Sequence, residues 1–173
     1  MSHRVLIIGN SGAGKTWLGK ALARTAQIPF YPMDTLFWQP GHFAQKHPKN
    51  EIEAACAQLI QESNWVIEGV FGWMADLCAP RATHLVWLDI PLAQCLENLT
   101  QRGPQFDEVL TEIHVREKAL EDLKTWAAAY ETREGSTARG YHLGLFEKFQ
   151  GKKNRLTSRH EVASFCQLWK KLD

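Results

Sequence analysis

The sequence predicts an α/β fold: a five-stranded parallel sheet with helices on both faces, three layers in all. Three observations predict it. Strand-like runs alternate with helix-like segments along the whole chain. The strands read as near-continuous apolar runs, the pattern of strands buried on both faces. The chain is 173 residues long, enough for one domain with a sizeable core, so 1–173 reads as a single unit.

Val5-Leu6-Ile7-Ile8 is the first strand, and residues 17–24 read as a helix. A second strand, 27–33, tolerates its prolines at a strand start or an unpaired position and ends at Asp34. Residues 36–48 read as an aromatic, proline-containing loop, after which Asn50 caps a helix to about residue 63. The third strand is 64–69, ending in Glu68-Gly69, and a short helix over 71–78 stops near Pro80. The fourth strand, 83–88, runs into Asp89-Ile90-Pro91 and a helix over 92–101, stopped by Arg102-Gly103-Pro104. Asp107 is positioned to cap a long helix to about residue 134. Its stripe Val109, Ile113, Leu120, Leu123, Ala127, Tyr130 skips one turn, which places Arg116 on the inward face. A helix over 137–150 ends at Gly151, and 154–157 is the fifth strand. Ser158-Arg159-His160-Glu161 is a capping box opening the last helix, which ends in Lys170-Lys171.

Between the first strand and first helix lies Gly9-Asn10-Ser11-Gly12-Ala13-Gly14-Lys15-Thr16, which satisfies G-x-x-x-x-G-K-[ST] at every required position. Strand, loop and helix in that order are the context that makes the motif specific. Its glycines turn successive N–H groups into one concavity at a helix N-terminus, a cradle for polyphosphate. Lys15 supplies a cation for the β- and γ-phosphates, and the Thr16 hydroxyl is placed for Mg²⁺. Residues from Gly9 to Thr16, with Trp17 beside them, are therefore the expected ATP-binding set.

Twenty basic and nineteen acidic side chains leave a net charge of +1, so bulk charge favours no nucleic acid partner. Lys152-Lys153-Asn154-Arg155 is the one dense basic cluster and reads as a solvated turn. The four cysteines form no C-x-x-C pair, which suggests a reduced, cytoplasmic protein. No apolar run approaches the roughly 18 residues of a membrane span. Seven tryptophans are many for this length; some belong to the core, and an aromatic excess around a cleft also suits grip on a flat or sugar-like ligand. The histidines show no tight metal spacing.

Phosphoryl transfer requires the nucleotide and metal in position, the acceptor oxygen in line, and cations on the transferring group. Three acids end strands: Asp34, Glu68 and Asp89. Asp34 suits the acceptor hydroxyl, as base or hydrogen-bond acceptor. Glu68 or Asp89 could serve the metal. Glu68 is preferred, because Gly69 after it would let a ligand approach the backbone, whereas Asp89 looks like a turn residue before a helix. Arg102 and Arg116 are the candidate lid arginines, with Arg139 more structural.

Gly9 to Thr16, Asp34-Thr35-Leu36-Phe37-Trp38, Trp65-Val66-Ile67-Glu68-Gly69, Leu88-Asp89-Ile90-Pro91 and Arg155-Leu156-Thr157-Ser158-Arg159 together resemble adenylate-kinase-related P-loop proteins of the DNA topology modulation (FlaR-like) group. The resemblance spans nearly the whole chain. It implies the P-loop nucleoside-triphosphate hydrolase fold in its nucleoside-monophosphate-kinase-like form, with an acceptor-binding insertion at 35–63 and a helical lid at about 102–135. Its fold implies a kinase using ATP and Mg²⁺; its name implies an effect on DNA topology. Two departures from adenylate kinase stand out. Glu68-Gly69 continues into Val70-Phe71-Gly72-Trp73 with no arginine, and the segment from Thr35 to Gly69 contains none at all. A monophosphate would call for a bidentate cation there. Only Lys46, Lys49 and two histidines are offered, so the expected acceptor, hydroxyl-bearing or nucleotide-like, is better read as an uncharged or sugar-like molecule held against Phe37, Trp38, Phe43, Phe71 or Trp73. A nucleotide-dependent regulator with no acceptor of its own is the alternative, and a plain NTPase a third reading, for which no water-orienting glutamine or asparagine stands out.

Overall fold

The computed structural model describes residues 2–40, 42–103 and 113–169. β1 (Arg4–Gly9) leads through the glycine loop to α1 (Lys15–Ala26), followed by β2 (Phe30–Pro32), α2 (Met33–Phe37), β3 (Trp38–Gln39) and β4 (His42–Lys46). Next come α3 (Lys49–Leu59), β5 (Trp65–Gly69), α4 (Gly72–Cys78), β6 (His84–Leu88) and α5 (Leu92–Arg102). The chain ends in α6 (Ile113–Ala128), α7 (Arg139–Lys148), β7 (Lys152–Leu156) and α8 (Arg159–Trp169).

Five parallel strands form one sheet in the order β2-β5-β1-β6-β7, so the strand feeding the glycine loop lies at the centre. Val5, Leu6, Ile7 and Ile8 are all fully buried, and alternation sends them to opposite faces. Leu6 and Ile8 join Ile67, Leu85 and Trp87 under α3, α4 and α7. Val5 and Ile7 join Val66, Val86 and Leu88 under α1, α5 and α8. The predicted three layers are therefore present, and the carboxyl ends of β1, β5 and β6 bring the glycine loop, Glu68 and Asp89 to one edge.

Several expectations are corrected. Residues 36–48 are not one loop: Asp34 lies inside α2, and β3 pairs antiparallel with β4. Aromatic packing drives this, since Phe37 stacks on Phe71 with centroids 4.1 Å apart and Trp38 meets Phe37 edge-on. α3 starts at Lys49 after Pro48, not under an Asn50 cap, and ends at Leu59. α6 stops at Ala128 in a 3-10 turn, Ala129–Glu131, well before residue 134. β7 takes in Lys152 and Lys153, because an edge strand accepts exposed charge. At α8, Ser158 Oγ accepts the Glu161 N–H at 3.2 Å, one half of the expected box; the Glu161 carboxylate takes the Thr157 N–H instead, at 2.6 Å. Asp107, Val109, Lys170 and Lys171 lie outside the described residues, as do the side chains of Phe43 and Ile113.

Candidate active site

The glycine loop owes its shape to two positions in the left-handed region. Gly14, at φ 93° and ψ 15°, is the N-cap of α1; a Cβ there would meet nothing, so backbone twist alone demands glycine. Gly12, at φ 77°, lies against α5, where a Cβ would strike the Cys95 carbonyl. Asn98 of α5 donates to the Gly12 carbonyl at 2.7 Å and fixes that contact. Lys15 folds back over the loop so that Nζ donates to the Asn10 carbonyl at 2.9 Å. Thr16 Oγ1 donates to Glu68 Oε1 at 2.8 Å.

Glu68 is only 3% exposed, held at the end of β5 opposite Ile7. Burial pushes its carboxyl above the ordinary value of 4.5, against the Lys15 ammonium and the Thr16 hydroxyl, with the nearby Asp34 charge adding to the rise. The alternative metal residue, Asp89, is engaged elsewhere. Arg139 grips it with two bonds, Nε to Oδ1 at 2.8 Å and Nη2 to Oδ2 at 2.7 Å, and Arg155 adds Nε and Nη2 to Oδ2 at 2.9 and 2.6 Å. Burial alone would raise its carboxyl, but the two guanidiniums outweigh it and hold the group below its ordinary value. Asp89 thereby clamps α7 to β7.

Replacing Asp89 with Asn is expected to lower stability by about 2 kcal/mol near neutral pH, since the partly buried arginines lose their anion. A depressed folded-state value means this contribution is complete above the ordinary 3.8 and lost as pH falls through the lower folded value. Urea midpoints of wild type and variant should therefore converge in strong acid.

A second buried network braces the same edge. His142 is fully buried; the Val70 carbonyl can only accept, so Nε2 carries the proton and donates to it at 2.9 Å. Nδ1 then accepts from the Tyr130 hydroxyl at 2.6 Å, whose oxygen accepts from Trp87 Nε1 at 3.2 Å. Burial holds His142 down to about 4, so it stays neutral and serves as a fixed strut on the Val70 carbonyl, just past the end of β5.

These elements enclose one cleft of about 1530 Å³. Residues 11–17 line it, with Asp34, Phe37, Trp38, Glu68, Phe71 and Arg102. The structure thus brings most of the sequence-derived set together. Four members lie elsewhere. Gly9 closes β1 against Leu88, and Asn10 is buried at the base of the loop, donating from Nδ2 to the Ala127 carbonyl at 2.9 Å. Gly69 does not admit a ligand: the Met33 side chain packs where its Cβ would be. Arg116 is half-buried on α6, outside the cleft lining, although Ala119, Leu123 and Trp126 continue its stripe into the cleft.

Other residues came only with the structure. Asn98 and Arg159 line the nucleotide side, Arg159 reaching Glu97 at 2.9 Å and also the Asn98 side chain. The spacing Cys95, Asn98, Leu99, Arg102 on α5 carries a signal for Asn98, one helix face turned to the loop. Arg133 lies 3.5 Å from the Trp126 ring and donates to the Thr137 carbonyl, bracing the far wall. The basic cluster proves to be structural: Lys153 Nζ donates to the carbonyls of Phe146, Glu147 and Phe149 at the end of α7, and Arg155 is held by Asp89. Among the described residues, no helix is long and apolar enough to cross a membrane.

No protein-family model matches the chain. Its structure is similar to shikimate kinase from Bacteroides thetaiotaomicron, at 16% identity and a TM-score of 0.55 over 99% of this chain and 98% of that one. It is also similar to a gluconokinase from Sinorhizobium meliloti 1021, at 17% identity and a TM-score of 0.54 over 99% and 95% of the two chains. At such identities the likeness is one of fold. The FlaR-like affiliation has no counterpart in these two neighbours. The chain has the P-loop fold of these kinases, a five-stranded parallel sheet between helical layers with the phosphate loop after its central strand.

Proposed function

We propose that the protein is a kinase that transfers the γ-phosphoryl group of ATP to a hydroxyl of a small acceptor. One observation carries this reading: the phosphate loop, two carboxylates and an aromatic wall share a single cleft of about 1530 Å³. That exceeds the roughly 300–1,000 Å³ of a site for one small ligand and leaves room for two. The chemistry of the two neighbours, shikimate kinase and gluconokinase by name, is of the same class.

In this reading the loop N–H groups and the α1 N-terminus bind the polyphosphate, and Lys15 exchanges the Asn10 carbonyl for phosphate oxygens. Thr16 and Glu68 would hold Mg²⁺, which when bound would offset the negative charge of the phosphates. Their donor set fits that ion: both ligands are oxygens, and among the described residues no group of three or more His, Cys, Asp or Glu forms a metal cage. Asp34 orients the acceptor hydroxyl and takes its proton. Arg102, from α5, and Arg116, half-buried on α6, are the cations of a lid at about 102–135, with the insertion at 35–63 forming the acceptor wall. We place the reaction in the cytoplasm, where ATP is supplied and the four free cysteines stay reduced.

The test is ADP release from purified protein with Mg²⁺, ATP and a panel of hydroxylated metabolites. Release that depends on an acceptor supports the kinase. ATP binding without any turnover supports the regulator, and equal release without acceptor the plain NTPase.

Glu68 sets a pH signature on this activity. Its raised value means that metal-binding competence, which needs the carboxylate, is lost on acidification at a pH above 4.5. The acid limb of Mg²⁺ binding should therefore lie above that of an exposed glutamate, and Glu68→Gln should remove that limb while lowering apparent Mg²⁺ affinity by at least tenfold.

A further inference from the structure

We propose that the acceptor is a small hydroxy acid, a compound with its reacting hydroxyl at one end and a carboxylate at the other. This rests on the kinase reading and names its substrate class. The acceptor half of the cleft carries both signs of charge. Asp34 and Glu68 line it with Thr16, and Lys46, His47 and Lys49 line its wall as well. Phe37, stacked on Phe71 at 4.1 Å, and Trp73 add apolar ring surface.

Both ammonium groups are held at that wall by ring faces. Lys46 Nζ lies 5.6 Å from the Phe37 centroid and Lys49 Nζ 5.9 Å from that of Trp73. Lys49 also meets Glu53 at 3.6 Å, and His47 meets Glu51 at 3.5 Å; neither glutamate lines the cleft. Lys46 has no carboxylate within ion-pair distance among the described residues. An acceptor carboxylate would give Lys46 the anionic partner that a neutral polyol does not.

The type of cation favours a carboxylate over a phosphate here. The arginines among the described lining residues are Arg102 and Arg159, from α5 and α8 on the nucleotide side. A phosphate dianion is best matched by the guanidinium fork, whereas single-point ammonium donors suffice for a carboxylate monoanion. In the transfer, the acceptor hydroxyl oxygen forms a bond to the γ-phosphorus. The bond from that phosphorus to the β–γ bridging oxygen breaks, and its electron pair leaves with ADP. The hydroxyl proton passes to Asp34 and then to solvent. The product is a phosphate monoester whose carboxylate is unchanged, having served only to orient the molecule.

The test compares shikimate, D-gluconate and further cyclic and open-chain hydroxy acids with their methyl esters, which keep the hydroxyls and lose the charge. Adenosine and cytidine monophosphates are included as phosphate-bearing acceptors. The expected result is turnover with at least one acid at a kcat/KM at least tenfold above that of its ester and of either monophosphate. Lys46→Met and Lys49→Met, both at exposed positions, should each raise the KM for that acid about tenfold while the KM for ATP stays within twofold. An ester or a monophosphate used as well as the acids, or lysine variants with an unchanged acid KM, would overturn the hydroxy-acid assignment and leave the kinase standing. Absence of turnover with every acceptor overturns both.

Discussion

Replacing Lys15 with Met is expected to lower kcat for phosphoryl transfer by about a thousandfold, with the fold intact. Lys15 sits in the first turn of α1 with Nζ bonded to the Asn10 carbonyl, so its removal deprives one backbone carbonyl of a partner and costs little structure. In the complex the same ammonium would face phosphate oxygens whose charge is redistributed as the γ-phosphoryl group leaves, and nothing else in the loop carries a positive side chain. A second effect is tied to the first. Lys15 is the strongest influence lowering the Glu68 carboxyl, so the variant should shift the acid limb of activity to higher pH. Single-turnover rates across pH, with a melting curve for each variant, measure both. A loss below tenfold, or an acid limb that stays in place, would contradict the site as drawn.

Asp34→Asn is the other large effect, with transfer to the acceptor slowed by about a hundredfold to a thousandfold. The side chain is exposed in the first turn of α2, lines the cleft, and makes no hydrogen bond to a described residue, so its carboxylate is available to a ligand. Asparagine retains the shape and one acceptor oxygen but cannot take a proton. ATP affinity should change less than threefold. Because the Asp34 charge helps to raise Glu68, the variant should also lower the acid limb of Mg²⁺-dependent nucleotide binding, a readout that a purely structural role for Asp34 would not move. Calorimetric ATP titrations from acid to neutral pH, beside the transfer rate, give both quantities. Full transfer by Asp34→Asn would remove Asp34 from the chemistry.

The sheet and its central loop were legible in the sequence because their signals are local. A buried parallel strand must be apolar throughout, and Val5 to Ile8 obey that. The G-x-x-x-x-G-K-[ST] spacing is set by backbone turns, not by distant contacts, and Gly12 and Gly14 adopt the positive φ it demands. Glu68 was also accessible, as the last polar residue of an apolar strand, although the reason given for Gly69 was wrong: Met33 fills the space beside it.

What escaped the sequence depends on contacts far along the chain. The role of Asp89 is fixed by Arg139 and Arg155, 50 and 66 residues away, and no periodicity announces such a pair. The β3–β4 hairpin forms because Phe37 finds Phe71, so tertiary packing overrides the loop-like composition of prolines and glycine. That hairpin also positions Lys46, placing it on the cleft lining with its ammonium 5.6 Å from the Phe37 centroid. The buried chain from Trp87 through Tyr130 to His142 joins three separate segments and could be found only in three dimensions.

The central claim is that the loop and the aromatic wall are two halves of one transfer site, and the fate of the γ-phosphate tests it most directly. Protein is incubated with γ-³²P-labelled ATP, Mg²⁺ and the hydroxylated acceptor panel, and the label is separated into acceptor ester and inorganic phosphate. The expected result is label in an acid-stable acceptor monoester, formed only with the acceptor present and abolished by Lys15→Met. Label that appears only as inorganic phosphate, at a rate indifferent to every acceptor, would contradict it.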